Sequence, residues 1–219
     1  LTRVEMFSEN NLKITRFEST FERCIYLLSF SMKGFDTSSA TSMKRMFYQT
    51  SSLVKVDLSE FNTVSVLDMS SMFLNCRKLQ RLQFQFETKY VLDMHEMFSG
   101  CSSLTSLALS SFNTENVKNM ENMFSSCSKL TNLDVSSFKT SKVENMHGMF
   151  YNCAEITNLN LDKFDTSRVT TMEDMFYYCQ KLTSLNLASF NTGDVKNMLN
   201  MFANCDSLAY LNQNFDTRI

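Results

Sequence analysis

Residues 104–127 read L-T-S-L-A-L-S-S-F-N-T-E-N-V-K-N-M-E-N-M-F-S-S-C, and this stretch decides the fold because the chain keeps repeating it. Cys101, Cys127, Cys153, Cys179 and Cys205 stand 26 residues apart. Cys76 precedes Cys101 by 25, so one turn has lost a residue. Upstream, Thr50 sits 26 before Cys76, and Cys24 sits 26 before Thr50. A fixed period between about 20 and 50 residues is the signature of stacked repeats rather than of one globular core.

Within the unit, the apolar spacing changes. Leu107 and Leu109 alternate with polar or small Ser106, Ala108 and Ser110, which predicts a short strand. Phe112, Asn113 and Thr114 follow. Thr114 falls where a helix N-cap would, with Glu115 next, favourable at the positive end of a helix. Val117, Met120, Met123, Phe124 and Cys127 then recur at three- and four-residue steps, the pattern of one helical face. Each repeat therefore predicts one short parallel strand, a capped turn and one short helix. The expected fold class is an α/β solenoid of leucine-rich-repeat type, with right-handed crossovers, strands on one face and helices on the other.

The chain reads as one solenoid over residues 1–219. Residues 1–20 form a degenerate N-terminal turn or cap, in which Leu1, Val4, Met6 and Ile14 still fit the pattern. About eight repeats follow, from 21 to 217. The phenylalanine three before the cysteine position occurs in all eight: Phe21, Phe47, Phe73, Phe98, Phe124, Phe150, Phe176 and Phe202. The threonine column likewise runs through Thr37, Thr63, Thr88, Thr114, Thr140, Thr166, Thr192 and Thr217. The sequence ends inside a repeat, at Phe215-Asp216-Thr217-Arg218-Ile219, so further repeats or another domain are expected beyond it. Leu1 does not read as a natural start, so the chain is expected to be a processed protein or an excised piece.

Residues 104–127 closely resemble the 26-residue repeat of BspA-like leucine-rich-repeat surface proteins, a repeat also found in Mycoplasma lipoproteins. The likeness runs over residues 20–217, and the pairing of M-F-x-x-C with F-x-T-x-x-V makes it specific. It implies an extracellular or cell-surface solenoid, linked in some members to adhesion. Departures are Thr50 in the cysteine column, the shortened turn at Phe84-Gln85-Phe86, and Gln213 at a core strand position.

Composition excludes several classes. A formal net charge of −2 and the lack of any polybasic run argue against nucleic acid or an anionic membrane as partner. No stretch approaches the roughly 20 apolar residues of a membrane span. The seven cysteines invite a disulfide or metal reading, yet all seven share one column and contain no C-x-x-C spacing. Buried free thiols are expected, in a slot that wants a small side chain, since Thr50 fills it too. His95, Glu121, His147 and Glu173 share a column and could be read as a metal row. They are read here as an exposed helix column of complementary charges. The methionines fall at core spacing, and the threonines read as caps rather than as an ice-binding ladder. No cofactor, metal or catalytic residue is expected.

The outward strand positions remain. There Asn132, Asp134, Asn158, Asn160, Asp162 and Asn186 gather amides and carboxylates on a rigid backbone, the chemistry of glycan or protein recognition. The expected function is a non-enzymatic binding or adhesion module whose partner is a protein or glycan on another cell or matrix. The alternative is a structural spacer or coat array, whose polar sheet residues simply bond one another along the ladder.

Overall fold

The computed structural model describes residues 2–213. Its strands are β1 (Arg3–Lys13), β2 (Ser29–Asp36), β3 (Lys55–Leu58), β4 (Arg81–Phe84), β5 (Ser106–Leu107), β6 (Asn132–Leu133), β7 (Ser184–Leu187) and β8 (Tyr210–Gln213). All pairing is parallel, in sheets ordered β1-β2-β3-β4, β5-β6 and β7-β8. The register follows the repeat: Val56 pairs with Leu82, Leu107 with Leu133, and Leu185 with Leu211. In the coil between β6 and β7 the strand shrinks to a single bridge, Asn158 to Ser184. The chain is thus a parallel β-solenoid of about eight turns. Residues 3–13 supply a full strand paired to β2, although their sequence is the most eroded. The threonine column at Thr217, the side chain of Gln213, Leu1 and the break at 215–219 lie outside the described residues.

The expected helix is absent: among the described residues there is none. The V-x-x-M-x-x-M-F-x-x-C segment is instead a ribbon of β-turns. Met123, Ser125 and Cys127 donate their N–H groups three residues back, to Met120, Asn122 and Phe124. The alternate groups leave the coil. Met120, Asn122, Phe124 and Ser126 donate to Asn145, His147, Met149 and Tyr151 of the next coil, at 2.7–3.1 Å. Such alternation requires left-handed backbone at two positions four residues apart, and Asn122 (φ 52°) and Ser126 (φ 57°) adopt it. Gly100 and Gly148 occupy the same slots with φ of 71° and 56°. At Gly148 a Cβ would come within 2.2 Å of Asn122 Oδ1, so any larger residue there would have to turn the Asn122 side chain aside.

Dimensions explain the preference. An α-helix is about 10 Å across and spends its backbone bonds on itself. Strands in a sheet lie only about 4.8 Å apart. Stacking coils at that distance on both sides leaves no room for a helix, whereas a turn ribbon is thin and bonds to its neighbours. The phenylalanine column bears this out. Its eight rings stack from Phe21 to Phe202 with neighbouring centroids 5.5–5.9 Å apart and planes within 11° of parallel. The core is one continuous cluster of such columns, with Met120, Met123, Phe124, Leu130 and Val135 fully buried in a typical coil.

The threonines do not cap helices. Thr114 Oγ1 accepts the N–H of Lys139 (2.8 Å) and donates to the carbonyl of the same residue (2.9 Å), one coil onward. Thr37, Thr63, Thr88, Thr140 and Thr166 grip Asn62, Glu87, Asn113, Asp165 and Asn191 in the same way. The local turn is closed by the preceding residue, as where Asn113 Oδ1 accepts the N–H of Glu115. With no helix dipole to meet, Glu115 pairs across coils with Lys139 Nζ at 3.3 Å.

All seven cysteines are free. From Cys76 to Cys205 each Sγ donates to the phenylalanine carbonyl of the preceding coil, as Cys127 does to Phe98 at 3.1 Å. Thr50 Oγ1 does the same to Phe21 at 2.7 Å, so the column selects a small donor and not merely a small side chain. Burial pushes the thiols of Cys127 and Cys179 up to about 12. Native protein is therefore expected to leave Cys76 to Cys179 unmodified by a thiol reagent that counts all seven after denaturation. Cys127→Ser should cost about 1 kcal/mol or less, because a hydroxyl keeps the bond. Rapid native labelling of the buried five, or linked cysteine peptides by mass spectrometry, would contradict this packing.

Candidate functional site

Alternation along each strand turns one set of side chains into the core and the other out. In β7, Leu185 and Leu187 are buried while Asn186 is exposed. The same parity places Asn132, Asp134, Asn158, Asn160 and Asp162 outside. Four of the six expected site residues come together: Asn158, Asn160, Asp162 and Asn186, with Ser184, line one open depression of about 280 Å³. Asn132 and Asp134 lie a coil earlier and do not line it.

Much of the hydrogen-bonding capacity in this patch is already engaged. Asn186 Nδ2 donates to Asp162 Oδ1 (2.8 Å), and Asn186 Oδ1 accepts from Asn212 Nδ2 (2.9 Å). Asn160 Oδ1 accepts the N–H of Asp162, and Asp134 Oδ1 that of Ser136. The hydroxyl of Ser136, and then its backbone N–H, hold the Asp134 carboxyl below its ordinary range. Asn158 Nδ2 reaches only the neighbouring Thr157 hydroxyl, at 3.2 Å.

The histidine column resolves into separate pairs. His95 Nδ1 lies 2.9 Å from Asp93 Oδ1, while His147 Nδ1 lies 3.7 Å from Glu173 Oε2. Glu121 accepts instead from Asn145 Nδ2. The hydrogen bond to Asp93 raises His95 above its ordinary value. Burial opposes the charge of Asp93, but the bonds from His95 outweigh it and hold Asp93 low. Among the described residues no group of three or more His, Cys, Asp or Glu is placed to hold a metal ion.

Two features went unread in the sequence. The shortened coil opens a depression of about 570 Å³ lined by Phe84, Gln85, Phe86, Glu87, Ala108, Ser110 and Ser111, where the first sheet ends at β4. The lost residue itself was the available signal. The second is a tyrosine cluster on the turn ribbon, where Tyr151 and Tyr177 stack with centroids 5.2 Å apart and Tyr178 stands edge-on to Tyr177 at 4.7 Å. Its signal was a departure from the serine, alanine and asparagine that fill those columns in neighbouring coils.

A family model described as "Mycoplasma protein of unknown function, DUF285" matches residues 4–106, 82–160 and 132–218, overlapping spans that together run almost the whole chain. Among curated proteins none matches. Similar solved structures include a leucine rich cell surface protein from Faecalibacterium prausnitzii, 13% identical, covering 97% of this chain and 88% of that one with a TM-score of 0.29. A leucine-rich repeat protein from Bacteroides ovatus is 15% identical, covering 96% and 83%, with a TM-score of 0.28. Likenesses at those scores carry no argument for this chain.

Proposed function

The chain belongs to the family described as Mycoplasma protein of unknown function, DUF285, and we propose that it is a non-enzymatic binding module displayed at a cell surface, recognising a protein or glycan through its strand face. The observation that carries this reading is the depression lined by Asn158, Asn160, Asp162 and Asn186, which sets amides and a carboxylate from adjacent coils on a stiff backbone. Rigid presentation lowers the ordering cost of binding. Surface display follows from the resemblance of the 26-residue repeat to that of BspA-like proteins. Polar groups with chemical potential sit in repeated columns and serve the backbone, which supports a role without catalysis.

A spacer role is the second reading, and one observation favours it: Asn186 already bonds both Asp162 and Asn212, as an idle polar ladder would. One experiment separates the two. Changing Asn132, Asn158 and Asn160 together to alanine removes exposed side chains and one turn-closing bond, from the Asp162 N–H to Asn160 Oδ1, so the melting temperature should fall only slightly. Attachment to a glycan array or to immobilised matrix proteins should fall at least about tenfold, the loss of about 1.4 kcal/mol. Unchanged attachment by the folded variant would reject the strand face as the site and leave the spacer reading.

A further inference from the structure

We propose that the strand face carries an anion site where β4 meets the next coil, built from Lys55, Arg81, Gln80, Gln83 and Ser106, and that it takes the sulfate group of an acidic saccharide. The inference extends the strand-face reading to a second place on that face and does not need the depression at Asn158.

The first observation is charge set against like charge. β3 and β4 pair in register, so Lys55 stands directly opposite Arg81. Both side chains are exposed, and neither makes an ion pair among the described residues. Like charges opposite one another on neighbouring strands destabilise a sheet. In other coils the same column holds Ser29, Ser106, Asn132, Asn158, Ser184 and Tyr210, so the pair is peculiar to these two. Arg77 and Lys78, at the turn into β4, add two more cations where the flanking coils have Ser51, Ser52, Ser102 and Ser103. In a chain of net charge −2, stacking has gathered positive charge that is scattered in the sequence.

The second observation is the withdrawal of acids. The outward column two residues after Lys55 reads Asp57, Gln83, Ala108 and Asp134 in successive coils, so the carboxylate gives way to an amide and a methyl at this place alone. An open depression of about 330 Å³ there is lined by Lys55, Arg81, Gln80, Gln83 and Ser106, with Ala108 as its small member, and by no carboxylate. Asp57, the acid beside Lys55, is already held by the hydroxyl and the N–H of Ser59, at 2.6 and 3.1 Å.

The third observation is a set of free donors. The amides of Gln80 and Gln83 and the hydroxyl of Ser106 make no hydrogen bond among the described residues. Asn160 and Asn186, in the other depression, are already bonded. The backbone adds to the set. In most coils one carbonyl takes the N–H groups of two successive residues of the next coil, as Val54 takes Gln80 and Arg81, and Thr105 takes Thr131 and Asn132. The carbonyl of Gln80 takes neither Thr105 nor Ser106, because the ladder lapses between β4 and β5. Two N–H groups are thus left without that acceptor at the gap beside the depression.

The ligand class follows. Cations and N–H and O–H donors converge where no carboxylate competes, which selects an anion rich in acceptor oxygens. A sulfate ester presents three of them. An extended polyanion fits poorly, because Asp57, Glu60, Glu87 and Asp134 stand on the coils around the site and would repel a membrane surface or a long strand of nucleic acid. The depression also has no aromatic ring on which a base could stack. What remains is an anionic group on a compact neutral frame, whose hydroxyls the two amides can answer.

The test uses sucrose octasulfate, with sucrose as the neutral control, in calorimetric titration and amide-resolved NMR. Binding is expected with a dissociation constant on the order of 0.1 mM, with shifts at the amides of Thr105 and Ser106 and none from sucrose. Raising salt from about 50 to about 200 mM should weaken it at least threefold. Lys55→Gln with Arg81→Gln should lower affinity at least tenfold, while the melting temperature holds or rises because the like-charge pair is gone. Lys118→Gln with Lys129→Gln removes two exposed lysines elsewhere, and should leave affinity unchanged. The Asn132, Asn158 and Asn160 triple variant should also retain it, which keeps failure here distinct from failure at the Asn158 depression. No binding up to about 10 mM, full binding by the Lys55 and Arg81 variant, or an equal loss in the Lys118 and Lys129 variant would each overturn the proposal. So would tighter binding of phosphatidylserine vesicles, oligothymidylate or a sulfotyrosine peptide than of the sulfated sugar.

Discussion

Truncating Phe124 or Phe150 to alanine is expected to destabilise the solenoid by about 3–5 kcal/mol, the range for a fully buried phenylalanine. Both side chains are 0% exposed. Phe124 stacks on Phe98 at 5.9 Å and on Phe150 at 5.8 Å. Removing it therefore breaks contacts with two coils at once, and in a linear array the coil-to-coil interfaces carry the stability. The cavity has little means of collapsing. Backbone bonds from Phe124 to Met149 and from Phe98 to Met123 fix the spacing of the coils around the missing ring. Phe21, near the start of the array and only partly buried, should cost less to truncate. Urea titration of the three variants measures this directly. A cost below about 1 kcal/mol at Phe124 would mean that the ring column is not what holds neighbouring coils together.

The ring column was legible in the sequence because a 26-residue period puts identical residues on top of each other whatever the local backbone does. The strand parity of Leu107 and Leu109, or of Leu185 and Leu187, was legible for an equally local reason: period-two alternation has one structural meaning. The ribbon was not. Val117, Met120, Met123, Phe124 and Cys127 recur at three and four residues, and a chain of β-turns with a left-handed residue every fourth position has that same apolar period. Asn122, Gly100, Gly148 and Asn152 hinted at the left-handed slots. Arg45, Glu96 and Tyr178 fill others and blur the hint. The deciding fact is that stacked coils leave no width for a helix, a tertiary constraint that single-repeat reasoning does not contain.

The same limit governed the side chains. Thr114 before Glu115 looked like a local cap, but its partner lies 25 residues on. The cysteine column looked like a small slot, and its donor role appeared only with the carbonyl of the preceding coil. In the candidate site, register arithmetic correctly brought Asn160 and Asp162 toward Asn186. It could not tell that Asn132 sits beyond the depression, where pairing between β6 and the following coil lapses.

The threonine column yields the second large effect. Thr140→Val keeps the shape of the side chain and removes the hydroxyl. Thr140 is 1% exposed, and its Oγ1 holds both the N–H (2.8 Å) and the carbonyl (2.9 Å) of Asp165. The variant leaves a donor and an acceptor unmet beside a buried methyl, at about 1–3 kcal/mol each when burial is complete. About 2–4 kcal/mol in all is expected. Thr140→Ser keeps both bonds and loses one methyl, for about 1 kcal/mol. A helix cap would give the same ranking of the two variants, so ranking alone does not separate the readings. Location does. Loss of a cap would expose amides of the same turn, near Val143, whose N–H bonds the Thr140 carbonyl. Loss of an inter-coil clamp must act one coil away, on the amide of Asp165. Hydrogen exchange of the valine variant is expected to accelerate at Asp165 and to leave Val143 nearly as protected as before. Acceleration at Val143 with Asp165 unchanged would return the threonines to a local role, and would leave the ribbon and strand ladders as the only backbone ties between coils.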